Sequence, residues 1–236
     1  MEKYSLIAHE WDNIAEQRLK DLTAGIDKSY SELLIPNMLD CLKNCNLEFT
    51  LDLGCGVGVF TRAVAEFAGK ILAIDLSCKS IELAKSQSQA ANIEYRCQNF
   101  LDLEVAGMFT TIFSNMSLMT TPDLIAIIRR ASHLLTINGS FLFCITHPSF
   151  WPIYWNYAND KFDYASETEI VREFRITNKV YGSLQTRHYH RPISYYINLI
   201  ISSGFRLKEF RELKDQDNRF WYPRFLLIEC IKPASI

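Results

Sequence analysis

Short apolar runs alternate with segments of helical periodicity between residues 48 and 146. The run KILAIDLS is apolar along nearly its whole length, as is typical of a parallel strand buried on both faces. In chain order the segments are the strand EFTLDLG, the helix VFTRAVAEFAG, the strand KILAIDLS, a helix over 78–90, the strands IEYRC and FTTIFSNMS, the helix PDLIAIIRRASHLL and, after a turn at Asn138 and Gly139, the strand SFLFCIT. This order predicts a doubly wound α/β fold, with a mostly parallel sheet between helices on both faces.

Length and charge limit the classes of protein to which the chain can belong. The 236 residues suit one domain, and a net charge of −2 without a Lys/Arg cluster argues against binding to nucleic acid. No apolar run approaches the roughly 20 residues of a membrane-spanning helix, and the polar start MEKYSLIAHEWDN is unlike a signal peptide. We therefore expect a single cytoplasmic domain over 1–236 that binds neither nucleic acid nor membrane.

The seven cysteines are odd in number and scattered, mostly inside apolar runs. This pattern predicts reduced thiols in the core rather than a disulfide framework. Only Cys41 and Cys45 are close in sequence, and no second Cys or His pair completes a zinc site. No metal is expected from this distribution.

The stretch LDLGCGVGVF places Gly54, Gly56 and Gly58 where a strand gives way to a helix. Glycines there allow a ligand to approach the backbone, and the start of the helix offers free N–H groups. A dinucleotide site has the pattern Gly-x-Gly-x-x-Gly, but its third glycine position is Val59 here, and Asp52 would repel a pyrophosphate. The turn thus favours a ligand with a cationic end and no phosphate, although it could also be only a tight connection.

Asp75 ends the second predicted strand, 17 residues after Gly58. An acidic side chain at this point can accept hydrogen bonds from both hydroxyls of a ribose. It could also be a surface carboxylate near the start of the next helix. Together, Asp52 and Asp75 indicate a nucleoside joined to a cationic amino acid, which is the shape of S-adenosylmethionine.

Residues from about 50 to 146 resemble the class I S-adenosylmethionine-dependent methyltransferases, whose first motif is an apolar run, an acid and Gly-x-Gly-x-Gly. The resemblance implies a Rossmann-like sheet of seven strands. It further implies that Asp52 and the three glycines bind the methionine part of the cofactor and that Asp75 binds its ribose. Leu76, the next residue, is also expected to bind the cofactor. The product would be S-adenosylhomocysteine.

Two further segments of the predicted core are similar to that family. Asn99 and Phe100, after the strand IEYRC, stand where the family has an acid and an apolar residue against the adenine. Asn115 and Met116 belong to the loop that the resemblance places over the cofactor.

The predicted core, 50–146, lies between segments with other expected roles. An amphipathic N-terminal segment, within a helical cover over 1–45, resembles one that folds across the cofactor and would bring Tyr4 and Trp11 near it, although Trp11 could simply pack on the sheet. Residues 147–192 are crowded with aromatic side chains and contain two alternating strands around a turn near Asn178, which predicts a hairpin lid over the acceptor. The ending 193–236, a helix and strands, is similar to small-molecule methyltransferases of the quinone-biosynthesis type.

His147 and His190 are the candidate general bases, because histidine removes protons near neutral pH. His147 directly follows a strand at the predicted ligand edge, whereas His190 ends the hairpin, where it shares a face with His188 that could also be solvated. Arg187 or Arg191 could hold an acidic acceptor.

The prediction is metal-independent methyl transfer from S-adenosylmethionine to an oxygen or nitrogen of a small molecule, since the loop SNMSLM has no carboxylate for Mg²⁺. Two alternatives remain open. One is a NAD(P)-dependent oxidoreductase, against which Asp52 and Val59 both argue. The other is a module that binds S-adenosylmethionine without turnover.

Overall fold

The computed structural model describes residues 2–104, 107–157, 162–176, 179–215 and 220–234. Its helices are α1 (Glu2–Thr23), α2 (Ile35–Leu42), α3 (Val59–Ala65), α4 (Cys78–Ser86), α5 (Leu124–Leu134), α6 (Trp151–Tyr154) and α7 (Ile193–Ser202). Its strands are β1 (Phe49–Leu53), β2 (Lys70–Asp75), β3 (Ile93–Cys97), β4 (Phe109–Asn115), β5 (Leu135–Thr146), β6 (Thr168–Ile176), β7 (Lys179–His190), β8 (Arg206–Leu213) and β9 (Phe225–Ile231).

Seven strands form one sheet in the order β3-β2-β1-β4-β5-β9-β8. The first five run parallel, while β9 pairs antiparallel with both β5 and β8. Strands β1, β2 and β3 follow one another towards one edge of the sheet, and β4 then pairs with the other side of β1. The strand order therefore reverses between β1 and β4. This arrangement confirms the predicted doubly wound, mostly parallel α/β fold of Rossmann-like type.

The sheet separates two hydrophobic clusters, one on each face. Alternate residues of β5 illustrate this, because Phe141 and Phe143 pack in one cluster and Leu142 and Cys144 in the other. Helices α5 and α7 contribute to the first cluster, and α2, α3 and α4 contribute to the second. Burial of both faces explains why the central strands are apolar along almost their whole length.

Two predicted boundaries differ from the structure. Apolar residues recur every three to four positions within 30–45, which predicts one helix, whereas the structure has a π-helical turn, Ser29–Leu34, followed by α2. The turn expected at Asn138 and Gly139 lies inside β5, where Asn138 has a φ of 62° and the register against β4 shifts. A bulge therefore replaces the turn, and the strand begins directly after α5.

Strands β6 and β7 pair antiparallel and form a separate two-stranded ribbon. The ribbon contacts α1 through an ion pair between Arg187 and Glu10 at 3.2 Å and a hydrogen bond from the Tyr181 hydroxyl to Asp21 at 2.6 Å. The turn predicted near Asn178 lies outside the described residues. Within the described ranges, no helix is both long enough and apolar enough to cross a membrane.

Cys78 and Cys97 form a disulfide, so the prediction of reduced thiols is wrong for these two residues. The pairing of β2 with β3 sets Cys97 opposite Asp75, and Cys78 begins the helix just after Asp75. Parallel pairing thus joins two cysteines that are 19 residues apart. Cys41, Cys45, Cys55, Cys144 and Cys230 are free thiols.

Candidate active site

A cavity opens at the carboxyl ends of the parallel strands. The last residues of four of these strands line it: Leu53 of β1, Asp75 of β2, Asn115 of β4 and Thr146 of β5. Ligands of open α/β sheets bind at this edge, where the direction of winding changes. Residues of α1 and of the β6–β7 ribbon complete the wall.

The glycine-rich loop after β1 forms one end of the cavity. Gly54 and Gly56 line it, whereas Gly58 caps the start of α3 and does not. Gly54 has a φ of 77°, and a Cβ there would overlap the Ser117 hydroxyl. Gly58 has a φ of 73°, and a Cβ there would lie 2.7 Å from the Tyr95 hydroxyl. Both positions therefore need glycine, one for the cavity and the other for packing beneath the loop.

Asp75 connects the end of β2 to this loop. Its Oδ2 accepts the backbone N–H of Gly56 at 2.8 Å, and its Oδ1 accepts that of Ser77 at 2.8 Å. Each carboxylate oxygen has a second lone pair, so both can still accept a hydroxyl from the cavity. Burial raises the pKa of Asp75, against the lowering effect of the two backbone N–H groups.

Asp52 lies deeper in the same wall and is almost completely buried. The Thr61 hydroxyl donates to its Oδ2 at 2.6 Å. Burial raises the pKa of Asp52 to about 7, and the negative charge of Asp75 acts in the same direction. No cation is paired with Asp52 among the described side chains, so this carboxyl is suited to a cationic ligand group.

Asn99, Phe100 and Leu76 line the adjoining part of the cavity. The Asn99 Oδ1 accepts the backbone N–H of Leu101 at 3.0 Å, which fixes the side chain at the start of a short 3-10 turn. The Phe100 ring is 97% buried in the core beneath. A fixed amide beside an apolar surface is suited to a planar heterocycle such as adenine.

Asn115 and Met116 follow β4 and also line the cavity. The side-chain amide of Asn115 is buried, and its nitrogen and oxygen have no hydrogen-bond partner in the described structure. Met116 has a φ of 60°, unusual for a residue with a side chain. Strained backbone and an unpaired buried amide often occur where a ligand supplies the missing contact.

Tyr4 and Trp11 come to the cavity from α1. The helix is held in this place by Asp12, whose Oδ1 accepts the Ser77 hydroxyl at 2.6 Å and the backbone N–H of Lys79 at 3.0 Å. Asp12 thus caps the first turn of α4 from another helix, next to Asp75. The sequence patterns did not indicate this contact.

The other end of the cavity is formed by α6, the ribbon and the start of β9. Its wall includes Tyr154, Trp155, Phe174 and His188. His188 is 94% buried, its ring centroid lies 4.9 Å from that of Trp155, and neither ring nitrogen has a hydrogen-bond partner among the described residues. Burial lowers the pKa of His188 to about 4, so the imidazole is neutral at pH 7.

The two histidines named from the sequence do not line the cavity. His147 Nε2 lies 2.8 Å from Glu212 Oε1, and His190 Nε2 lies 2.9 Å from the backbone oxygen of Tyr164. Both contacts hold the rings outside the cavity wall. The sequence did not indicate His188 as a site residue. It shows only that His188 alternates with Tyr189, and the residues near it in the sequence do not reveal that this face of β7 packs against tryptophans.

Arg187 and Arg191, the candidate anion ligands, also lie elsewhere. Arg187 pairs with Glu10 and Glu169, and Arg191 is buried against Glu167 and two backbone carbonyls. The arginines that line the cavity are Arg18, Arg175 and Arg224.

The described structure also groups one set of metal-binding side chains away from the cavity. The Cys41 thiol and the carboxylates of Glu209 and Glu229 lie within 4.8 Å of one another. Arg211 pairs with Glu209, and Lys208 with Glu229 at 2.6 Å. Two cations thus neutralise this cluster. The sequence did not indicate the cluster, because its two glutamates come from different strands, β8 and β9.

Residues 46–192 match a family model described as a methyltransferase domain. A malonyl-[acyl-carrier protein] O-methyltransferase of Bacillus anthracis is 26% identical over 76% of this chain and 62% of its own length. A ubiquinone biosynthesis O-methyltransferase of Xanthomonas campestris pv. campestris is 34% identical over 38% of this chain and 39% of its own. The chain therefore spans less than two thirds of the length of either relative.

The fold is similar to that of solved structures. The crystal structure of an S-adenosylmethionine-dependent methyltransferase from Mesorhizobium loti superposes with a TM-score of 0.63 and 24% identity, covering 83% of this chain and 96% of that one. With the match to the family model over more than half of the residues, this confirms the resemblance seen in the sequence. The chain belongs to the methyltransferase-domain family and has the Rossmann-like fold of the class I S-adenosylmethionine-dependent methyltransferases.

Proposed function

We propose that the protein transfers the methyl group of S-adenosylmethionine to an oxygen atom of a small-molecule acceptor. The observation that carries the proposal is the continuity of the cavity. Gly54, Asp75 and Asn99 line one end of it and Trp155 and His188 the other, without a wall between them. A nucleoside and an acceptor can therefore meet inside one enclosure.

The residues at the first end fit this cofactor. Asp75 keeps a free lone pair on each oxygen for the two ribose hydroxyls, and Asn99 and Phe100 offer an amide and an apolar face for the adenine. Asp52, buried and without a cationic partner among the described residues, suits the ammonium group of the methionine part. A pyrophosphate would instead meet two carboxyl groups, the buried one of Asp52 and the half-buried one of Asp75.

S-adenosylmethionine supplies an electrophilic methyl group, which leaves by in-line displacement. The contribution of this chain is to align the two reactants and to exclude water. Helix α1 and the ribbon lie over the ends of the strands for this purpose, and their contacts through Arg187 and Glu10 and through Tyr181 and Asp21 join the two parts of the cover.

His188 is the side chain that we assign to the acceptor hydroxyl. Its buried, neutral imidazole keeps an unpaired nitrogen in the wall of the cavity, so it can accept the hydroxyl proton. His147 and His190 already have partners outside the cavity. The choice of oxygen is supported by the names of the two relatives, which are both O-methyltransferases.

The proposed reaction is independent of a metal. Of the carboxylates that line the described cavity, Asp27 is paired with Arg18 at 2.6 Å, and Asp52 and Asp75 lie at the cofactor end. The acceptor end offers aromatic rings and one imidazole, which are not ligands for Mg²⁺.

The test is a screen for transfer of radiolabelled methyl groups from S-adenosylmethionine to phenols, hydroxy acids, carboxylic acids and amines, with and without EDTA. We expect methyl ethers or esters to form, unaffected by EDTA. Exclusive labelling of amines would refute oxygen transfer. No labelling of any class, despite binding of S-adenosylhomocysteine, would favour a module without turnover.

A further inference from the structure

Arg175 is a cation in the cavity wall, and no anionic partner lies beside it among the residues that the structure describes. Its Nη1 donates to the backbone oxygen of Tyr154 at 3.0 Å, and its Nε is buried without a hydrogen-bond partner. No described carboxylate lies within 4.0 Å of its guanidinium nitrogens. A guanidinium carries five N–H donors, so most of its donor capacity is left unused here.

The other two arginines of the wall are neutralised. Arg18 Nη1 lies 2.6 Å from Asp27 Oδ2, and Arg224 makes two bonds to the Asp215 carboxylate at 2.7 and 2.8 Å. The acceptor end of the described cavity therefore carries one positive charge in excess, and that charge is on Arg175. A partly desolvated charge gains most from an anion that enters the same enclosure.

Aromatic rings surround this charge. The Arg175 Cζ lies 4.8 Å from the centre of the Tyr154 ring and 5.9 Å from that of Trp155. Such contacts orient a guanidinium but leave its charge in place, because a ring supplies no counter-ion. The same Trp155 ring lies 4.9 Å from that of His188. The indole of Trp155 is therefore close to both the cation and the candidate base.

We propose that Arg175 binds a carboxylate of the methyl acceptor and that the acceptor is a hydroxylated aromatic acid, with its ring along Trp155 and its hydroxyl at His188. This inference rests on the proposed function, since it names the molecule that would accept the methyl group. A single planar guanidinium matches a singly charged, planar carboxylate. A phosphate dianion would need a second cation, and both other arginines of the described wall already have carboxylate partners.

The test is calorimetry on the full chain saturated with S-adenosylhomocysteine. The probes are 2-, 3- and 4-hydroxybenzoate and the methyl ester of each, which keeps the ring and hydroxyl but removes the charge. We expect at least one acid to bind about 10- to 100-fold more tightly than its ester, the range for a hydrogen bond to a charged group. Arg175→Gln should abolish this preference without changing the affinity for the ester, and Arg175→Lys should restore part of it.

Arg172→Gln is the matched control, because Arg172 is exposed on the same strand and should not change either affinity. Equal binding of every acid and its ester, or no binding of any probe, would overturn the inference even if Arg175→Gln failed to fold, because that comparison uses the unaltered protein. Both results leave the proposed function standing. Failure of S-adenosylhomocysteine itself to bind would instead refute the proposed function.

Discussion

The carboxylate of Asp75 accepts the backbone N–H of Gly56 at 2.8 Å, so the end of β2 holds the loop that follows β1. The same carboxylate anchors the start of α4 through Ser77. One side chain thus sets the shape of the cofactor end and also presents its remaining lone pairs to the cavity. This double role makes Asp75 the most sensitive position of the proposed nucleoside site.

Replacing Asp75 should weaken binding of S-adenosylhomocysteine. We expect Asp75→Ala to lose about 1 to 3 kcal/mol of binding free energy, because the ribose hydroxyls lose a charged acceptor in a buried site. Calorimetry measures the loss, and circular dichroism shows whether the variant is folded. Glu82→Gln, an exposed acid on α4, is the control. Unchanged affinity in a folded Asp75→Ala protein would reject the assignment.

Gly54 tests the shape of the loop. Gly54→Ala should abolish cofactor binding and destabilise the fold, because the new Cβ would overlap the Ser117 hydroxyl and the residue would keep a left-handed backbone. Ser117→Gly in the same chain removes the overlap and leaves only a backbone cost of about 1 kcal/mol. Thermal unfolding should therefore show partial rescue in the double variant. A single Gly54→Ala variant as stable as the unaltered protein would show that the loop is not constrained in this way.

Cofactor affinity should depend on pH through Asp52. Its pKa is raised to about 7 by burial, so near pH 7 about half of the ligand-free molecules carry a neutral carboxyl group. A bound ammonium group favours the ionised form and lowers this pKa, so binding releases a proton and affinity for S-adenosylhomocysteine rises from pH 6 to 7.5. Calorimetry in buffers of different ionisation enthalpy measures the number of protons released on binding. Asp52→Asn should bind more weakly and without the pH dependence; a variant that retained the full dependence would point to another group.

Asp12 should control how α1 covers the cofactor. Asp12→Ala removes two hydrogen bonds to the start of α4, and we expect a loss of about 1 to 2 kcal/mol of folding stability, as for other helix caps. Release of S-adenosylhomocysteine, followed by stopped-flow fluorescence, should become faster. Asp12→Asn keeps an acceptor oxygen, so its stability and its rate of release should be closer to those of the unaltered protein than those of Asp12→Ala are. Lower stability with unchanged release would mean that α1 does not hold the cofactor.

His188 should affect turnover and not cofactor binding. With an acceptor found in the methyl-transfer screen, His188→Phe keeps a ring against Trp155 but should lower kcat about 100-fold or more, because the proton acceptor is lost. His133→Gln, an exposed histidine on α5, is the control. A larger loss of kcat in His190→Gln than in His188→Phe would instead identify His190, the residue named from the sequence, as the general base.

The end of the cavity at the glycine loop was predictable because its determinants are local. Gly54, Gly56 and Asp75 are recognisable from spacing within one βαβ unit, and the structure places all three at one edge of the sheet. Gly58 belongs to the same pattern but lies close to Tyr95 and does not line the cavity. The pattern predicts the turn, but it does not show which of the glycines lines the cavity.

The acceptor end was not predictable, because it depends on contacts between distant segments. Nothing near Arg175 in the sequence shows that it lacks a carboxylate partner in the described part of the chain, whereas Arg187 pairs with Glu10 of α1. Only the packing of α6 against β7 decides that His188 is enclosed.

The proposed cofactor is tested most directly by a pair of calorimetric titrations of the full chain, one with S-adenosylhomocysteine and one with NAD⁺. The carboxyl groups of Asp52 and Asp75 beside the glycine loop should admit an ammonium-bearing nucleoside and reject a pyrophosphate. We expect one site for S-adenosylhomocysteine, weakened by Asp75→Ala, and no heat of binding with NAD⁺. Binding of NAD⁺ that Asp75→Ala also weakens, with no binding of S-adenosylhomocysteine, would contradict this expectation.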